Sequence, residues 1–336
     1  MNIRLGYDTY SLRSWKWNAA QHLDFASQQG LDAIQFSSTE DYGDISPGAL
    51  QRVKQRAEEL GIRVDSGIGC VCELSKSWNG KNGTPEQVLS RGLEIAHSAG
   101  SKVMRCFMGS QLDRFGDRPL QQLMDALVQN FKAVRSKAID LDVKIAIENH
   151  KDMQAWQAKQ VIEAAGKDFV GSNLDLGNPT YVMEHPMTTL ETLGPYAVTT
   201  HVRDTAVYED PRGAAVQWTA LGDGSVDLKE IVKRYRELCP DASFQLEIIT
   251  GRSPEFLPYT DPAFWKTFEG MRAADFARFI ALSKAGRPFS GHMVIEDLEG
   301  KAPAAPFRDA LVYQQRYDLE RSFKYAKQVL GVGKAG

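Results

Sequence analysis

The sequence has few cysteines, and their spacing neither staples a fold nor holds a structural metal. Cys70, Cys72, Cys106 and Cys239 are the only four in 336 residues. Just Cys70 and Cys72 lie close together, and a lone C-x-C is not a zinc-site spacing. Reduced thiols are expected, since a chain this long buries enough core to fold without crosslinks. There is also no excess of one charge. Lys plus Arg number 40 against 43 Asp plus Glu, a net charge of -3, which argues against a chain built to coat nucleic acid. No apolar run approaches the ~18 residues of a membrane span. The start, MNIRLGYDTY, carries no basic stretch leading into an apolar one, so no secretory signal is expected. Long repeats, low-complexity tracts and a G-x-G-x-x-G turn after the first strand are all missing. These absences point to a cytoplasmic protein with a small-molecule substrate and neither nucleic acid nor membrane as partner.

What is present is regular alternation. Hydrophobic residues make up 43% of the chain and charged residues 25%, an ordinary globular balance. Eight short β-type runs recur: Ile3 to Tyr7, Leu31 to Phe36, Ile62 to Val64, Lys102 to Phe107, Val143 to Glu148, Val170 to Leu174, Ala197 to Val202 and Phe244 to Ile249. Helical patterns separate them. Ser46-Pro47 and Thr84-Pro85 are start signals, and Gly61 is a stop. Strict βα alternation implies parallel strands with right-handed crossovers, and eight units predict an α/β fold of the (β/α)8 TIM barrel type. Residues 1–282 read as the barrel. Residues 283–336 read as a C-terminal extension packed on it: a loop from Ser283 to Pro306 rich in Gly, Pro and charge, then a helix over Leu311 to Leu330.

The chemistry concentrates at the ends of the last four strand candidates, where Glu148, Asp175, His201 and Glu247 stand. The first two gaps, of 27 and 26 residues, each match one βα unit, and the third, of 46, implies an insertion of about 20 residues in one unit. All strand C-termini of a parallel barrel open on one face, so the four residues would converge. Any one of them alone reads as a polar residue closing a strand. Four in consecutive strands, all of ligand type, point to one divalent metal ion. The oxygen-rich set favours Mn2+, with Mg2+ or Co2+ as alternatives. Three carboxylates gathered without a cation would repel one another.

Side chains two apart on a strand share a face. His150 therefore faces the same way as Glu148, as an acid/base or a hydroxyl-binding group, with a hydrogen-bonded loop histidine as the plain alternative. Arg203 stands in the same relation to His201. It would hold a substrate carboxylate in a two-bonded fork, or else pair with Asp204 or a ligand carboxylate. Arg105 on the fourth strand is a second anion anchor. Tyr7 and Tyr10 are candidates for the pocket wall, and Gln35 on the second strand for a hydroxyl contact. The loop from Ser75 to Gly83 around Trp78 reads as surface, His22 and His97 as structural, and Phe264, Trp265 and Phe268 as core.

The strings IENH (Ile147 to His150), LDLGN (Leu174 to Asn178), HVRD (His201 to Asp204) and LEI (Leu246 to Ile248) resemble the xylose isomerase-like superfamily of TIM barrels, over roughly residues 3–282. The resemblance implies that Glu148, Asp175, His201 and Glu247 ligate one catalytic metal, and a homodimer is expected on the same ground. The chain departs from the ketose epimerase pattern, with Asn178 where that group has a histidine and Val207 where it has an arginine. The opening LGYDTYSLR, the IENH and HVRD strings and the length together resemble the 3-oxo-isoapionate decarboxylase group. That resemblance implies a lyase of carbohydrate catabolism, a metal-dependent decarboxylase of a 3-oxo sugar acid working through an enediolate. Its catalytic residues would be Glu148, His150 and Glu247, and its substrate-binding residues Arg105, Arg203, Tyr10 and Gln35. The alternative is a metal-dependent ketose isomerase or epimerase with Glu148 and Glu247 as acid/base pair. An endonuclease of the superfamily would need a larger histidine-rich cluster, and this chain has six histidines.

Overall fold

The computed structural model describes residues 3–296 and 303–334. Eight parallel strands form the centre: β1 (Leu5–Asp8), β2 (Ala33–Phe36), β3 (Arg63–Cys70), β4 (Val103–Phe107), β5 (Lys144–Glu148), β6 (Val170–Asp175), β7 (Ala197–His201) and a short closing strand, Phe244–Leu246. The closing strand pairs with β1. On its other side the ring closes through a parallel bridge between Val202 and Leu246, with the Val202 amide donating to the Gln245 carbonyl at 2.8 Å. Each strand matches one of the eight apolar runs.

The helices start where local chemistry satisfies their first amides. Asn18 and Gln21 form a reciprocal cap for α1 (Ala19–Gln28), and Thr84 and Gln87 form another before Pro85–Ser98. For α2 (Pro47–Leu60), Ser46 makes no side-chain cap bond. Pro47 sets the start, and Gly61 ends the helix at φ +64, a conformation open to glycine at little cost.

The 46-residue gap holds an antiparallel hairpin, β8 (Asp204–Asp210) and β9 (Gly213–Thr219), which a short strand, Glu255–Leu257, extends to three strands. Helix Ala273–Ala285 packs against it. Val207, Val216, Trp218, Leu257, Phe268 and Phe279 form a second apolar cluster there, separate from the barrel core. The three-stranded sheet thus stands at the end of the barrel where the strands' C-termini open, and it walls one side.

The C-terminal helix Ala305–Gln328 is present, as the sequence predicts. Its Leu319, Phe323 and Ala326, with Leu330 and Val332 beyond it, belong to the same core cluster as Leu5, Tyr7 and Phe25. Phe323 lies edge-on to Tyr7 at 6.0 Å. The Trp15 indole donates to the Val312 carbonyl at 3.0 Å. This segment therefore shares the apolar core between the barrel's strands and its surrounding helices. The expected loop from Ser283 onward falls partly outside the described residues, at 297–302. All four cysteines are buried and unpaired. Among the described residues no helix is long and apolar enough to cross a membrane.

Candidate metal and substrate site

The strand ends bring together the four residues expected as ligands. One donor atom from each of Glu148, Asp175, His201 and Glu247 lies within 4.8 Å of the others, and all four residues are buried. Register explains the placement, because Asp175 at the end of β6 pairs directly with His201 at the end of β7. The backbone locks Asp175 further. Its Oδ1 accepts from the amides of Gly177 at 2.7 Å and Asn178 at 2.6 Å, and Asn149 bonds both its amide and its carbonyl at 2.9 Å.

His201 tests the metal reading. Its Nε2 lies 3.2 Å from Asp8 Oδ2. A carboxylate only accepts, so this nitrogen carries the hydrogen. Its Nδ1 is buried without a hydrogen-bond partner. That atom faces Glu247 at 3.4 Å, Glu148 at 3.5 Å and Asp175 at 3.8 Å. A lone pair turned towards three carboxylates makes a place that a divalent cation could fill, and the donors present fit one. Where no cation is bound, a proton can take its place. Burial opposes a charged ring, but Glu247, Glu148 and Asp8 outweigh it and raise the His201 pKa well above its ordinary value. Asp175 is pushed up to about 7, first by burial and then by its carboxylate neighbours, against the pull of Arg203.

Two arginines neutralise part of this charge. Arg105 pairs with Glu148, its Nε donating at 2.6 Å. Burial disfavours the Glu148 carboxylate, yet Arg105 and His201 prevail and hold its pKa well below the usual range. Arg203 pairs with Glu247 and Asp175, the latter at 2.5 Å, and donates to Asn178 Oδ1 at 3.1 Å. Its guanidinium also lies 4.6 Å from the Trp218 ring. A Cβ at Gly177 would come within 2.4 Å of the Arg203 side chain, so glycine there makes room for it. Asn178 donates to Glu148 Oε1 at 3.0 Å and thus ties two ligand strands together. Asp204 does not take part. It accepts from the amides of Thr205, Gly222 and Gly224 and shapes the turn after the hairpin.

Above the cluster opens a cleft of about 1330 Å³, lined in part by Tyr10, Arg105, His150, Lys151, Arg203 and Glu247. His150 stacks on Phe107 at 5.0 Å, and its Nδ1 lies 2.7 Å from the Gly109 carbonyl. A carbonyl only accepts, so Nδ1 is protonated and Nε2 is the ring atom left to exchange a proton. Tyr10 is on the wall, beneath the Arg13 guanidinium. Gln35 and Tyr7 are not brought to the cleft. Gln35 is fully buried inside the barrel, bonded to Asn173 and Thr199. Its strand position placed it in a layer below the ligands. Tyr7 turns outward, its hydroxyl 2.9 Å from His22 Nδ1.

Two contributors escaped the sequence reading. Asp8 is one, and no motif in the sequence sets it apart. Lys151 is the other: its ammonium lies 3.8 Å from the Tyr181 ring centre and 4.2 Å from that of Trp218, with Glu255 Oε1 at 2.5 Å. Only the inserted sheet brings Trp218 and Glu255 to it.

Residues 23–267 match the xylose isomerase-like TIM barrel family. The chain belongs to that family. Among curated proteins it is 22% identical to a 3-oxo-isoapionate decarboxylase of Pectobacterium atrosepticum over 210 residues, 62% of this chain and 69% of that protein. It is 21% identical to the uncharacterized protein YihM of Escherichia coli K12 over 145 residues, 43% of this chain. The match spans 44% of YihM's length. The fold is similar to a D-psicose 3-epimerase crystal structure, with a TM-score of 0.61 and 16% identity over 98% of this chain and all of that one. It is also similar to the zinc-bound IOLI protein, with a TM-score of 0.57 and 15% identity over 83% and 97% of the two chains.

Proposed function

We propose that this member of the family is a divalent-metal-dependent decarboxylase acting on a 3-oxo sugar acid. The observation that carries the reading is the charge of the cleft. Seven Lys and Arg side chains line it against four Asp and Glu, although the chain as a whole is slightly acidic. Such a wall favours an anionic substrate over a neutral ketose. The match to the decarboxylase points the same way, as does Asn178 in place of the epimerase group's histidine.

Glu148, Asp175, His201 and Glu247 would hold the ion, with Mn2+ the ion expected of this donor set. When bound, the ion would supply a Lewis acid that stabilises negative charge developing on a substrate oxygen. Lys151 and Arg105 would orient the carboxylate, while Arg203 balances Asp175 and Glu247. The bond from the carboxylate carbon to C2 breaks, its electron pair stays on the sugar skeleton as an enolate, and carbon dioxide leaves. A proton then adds to C2, delivered through Nε2 of His150 or by a water held against Glu148 or Glu247. Tyr10 forms part of the wall that positions the sugar.

A second reading, a sugar isomerase or epimerase, draws support from the placement of both Glu148 and Glu247 beside His201 Nδ1, at 3.5 and 3.4 Å. Those two carboxylates would exchange one substrate proton. The deciding experiment incubates Mn2+-loaded protein with a 3-oxo aldonate and measures carbon dioxide. Release above the spontaneous rate is expected. No release, together with solvent deuterium entering a ketose that keeps all its carbons, would overturn the decarboxylase in favour of the isomerase.

A further inference from the structure

We propose that Asp8 is a positioning residue, which holds His201 in the tautomer and orientation that make Nδ1 a metal ligand. The inference rests on the metal reading above and is independent of decarboxylation.

Both Asp8 oxygens are engaged and the residue is fully buried. Oδ1 accepts from the Tyr10 amide at 2.9 Å and caps the 3-10 helix Thr9–Leu12. Oδ2 meets His201 Nε2 at 3.2 Å. One oxygen thus fixes the carboxylate to the backbone of the first loop, and the other fixes the ring. A neutral imidazole carries one hydrogen. With that hydrogen on Nε2, the Nδ1 lone pair is directed at the three carboxylates. Without Asp8, the ring gains by the opposite choice, since a hydrogen on Nδ1 could bond Glu247 or Glu148. That tautomer puts a proton where the ion must sit. Asp8 therefore selects against the competing form as well as orienting the right one. A carboxylate behind a histidine ligand also raises the basicity of the ligating nitrogen.

The arrangement has a second consequence. The Asp8-capped helix carries Tyr10, which lines the cleft. A single carboxylate thus couples the position of the cleft wall to that of a metal ligand two strands round the barrel ring, 193 residues away in sequence.

The test is calorimetric titration of the full chain with Mn2+ in the wild type, Asp8→Ala and Asp8→Asn. Loss of a carboxylate behind a histidine ligand weakens metal binding by about 10–100-fold, and that loss is expected for Asp8→Ala. Asp8→Asn keeps one acceptor oxygen, enough for the Nε2–H or for the Tyr10 amide but not for both, so it should recover part of the affinity. Nitrogen NMR of histidine-labelled, Zn2+-loaded wild type supplies a readout that a merely structural role would not move. It should report a hydrogen on His201 Nε2 and metal on Nδ1. A folded Asp8→Ala that binds Mn2+ as tightly as the wild type overturns the proposal, as does a spectrum with metal on Nε2. If Asp8→Ala does not fold, the wild-type spectrum decides alone. Absence of Mn2+ binding to the wild type overturns the metal site itself, whereas equal binding by wild type and Asp8→Ala removes only the role of Asp8.

Discussion

Replacing Arg203 by Met separates the protein's need for charge balance from its need for a filled volume. The guanidinium is 1% exposed, bonded to Asp175 at 2.5 Å, to the Glu247 carboxylate and to the Glu247 carbonyl at 3.1 Å. Methionine keeps much of the stem that passes Gly177 and Trp218 but leaves both carboxylates without their cation. Two unit charges about 4 Å apart interact by ~4 kcal/mol at an effective dielectric of ~20. Two such contacts are lost, and relief of the guanidinium's own desolvation offsets part of that. The net is about 3–5 kcal/mol, the range for unpairing a buried ion. An unfolding entropy of ~2.1 cal/mol/K per residue gives ~0.7 kcal/mol/K for this chain, hence a melting temperature lowered by about 4–7 °C. The assay is thermal melting in EDTA and in excess Mn2+. Because Arg203 and a metal ion compete for Asp175 and Glu247, the variant should bind Mn2+ more tightly than the wild type. At 100-fold excess over Kd, Mn2+ should restore ~2.7 kcal/mol. An EDTA midpoint within about 1 °C of the wild type, or a smaller Mn2+ shift in the variant, would refute the reasoning.

Further outcomes follow from other parts of the molecule. Lys151→Met should raise KM for an acidic substrate by about 10–100-fold, the worth of one charge-assisted hydrogen bond, and leave Mn2+ affinity unchanged by calorimetry; unchanged KM would remove Lys151 from the carboxylate site. Burial raises the Glu184 carboxyl from 4.5 to about 7, outweighing its bonds from Thr189 and the Ala155 amide. The folded state therefore binds a proton that the unfolded chain releases, and this group's contribution to stability falls as pH rises from about 4.5 to about 7. Glu184→Gln should be the more stable form at pH 8, by up to roughly 3 kcal/mol, and level with the wild type below pH 4 in urea titrations; the opposite sign would refute the assignment. Phe323→Ala should cost about 3–5 kcal/mol in the same titrations, because the ring packs on Tyr7 and Phe25 within the barrel core; a loss under about 1 kcal/mol would place the C-terminal helix outside it.

The barrel was legible because its signal is periodic. Each strand is a short apolar run bounded by turn residues, and the four ligands stand where those runs end. Depth along the barrel axis left no such mark. Gln35 and Asp8 are direct cross-strand partners, yet Asp8 reaches His201 while Gln35 bonds Asn173 and Thr199 below. Alternation assigns a side chain to a face and says nothing of the layer it fills. The inserted sheet was visible only as surplus length between His201 and Glu247. Its consequence for Lys151 depends on Trp218 and Glu255, residues that no local pattern joins to it. Arg203 was weighed between a substrate carboxylate and the ligand carboxylates, and its bonds lie with Asp175 and Glu247.

The charges around the cluster supply one further constraint. Asp8, Glu148, Asp175 and Glu247 are four carboxylates in a space shared with only two guanidinium groups, Arg105 and Arg203. With all six ionised and His201 neutral, the deficit is two positive charges, which one divalent ion meets. Without it protons can meet the deficit: burial, then the neighbouring carboxylates, raise the Asp175 carboxyl, and the carboxylates raise the His201 ring against its burial. Ion binding should therefore expel protons, and the number released should grow as pH falls below about 7, where more of the sites are filled. Titration of Mn2+ in two buffers of different ionisation heat measures that number directly. A proton count near zero across that range would mean that the four carboxylates are already balanced without a metal, and the charge argument for the site would fail even if an ion were bound.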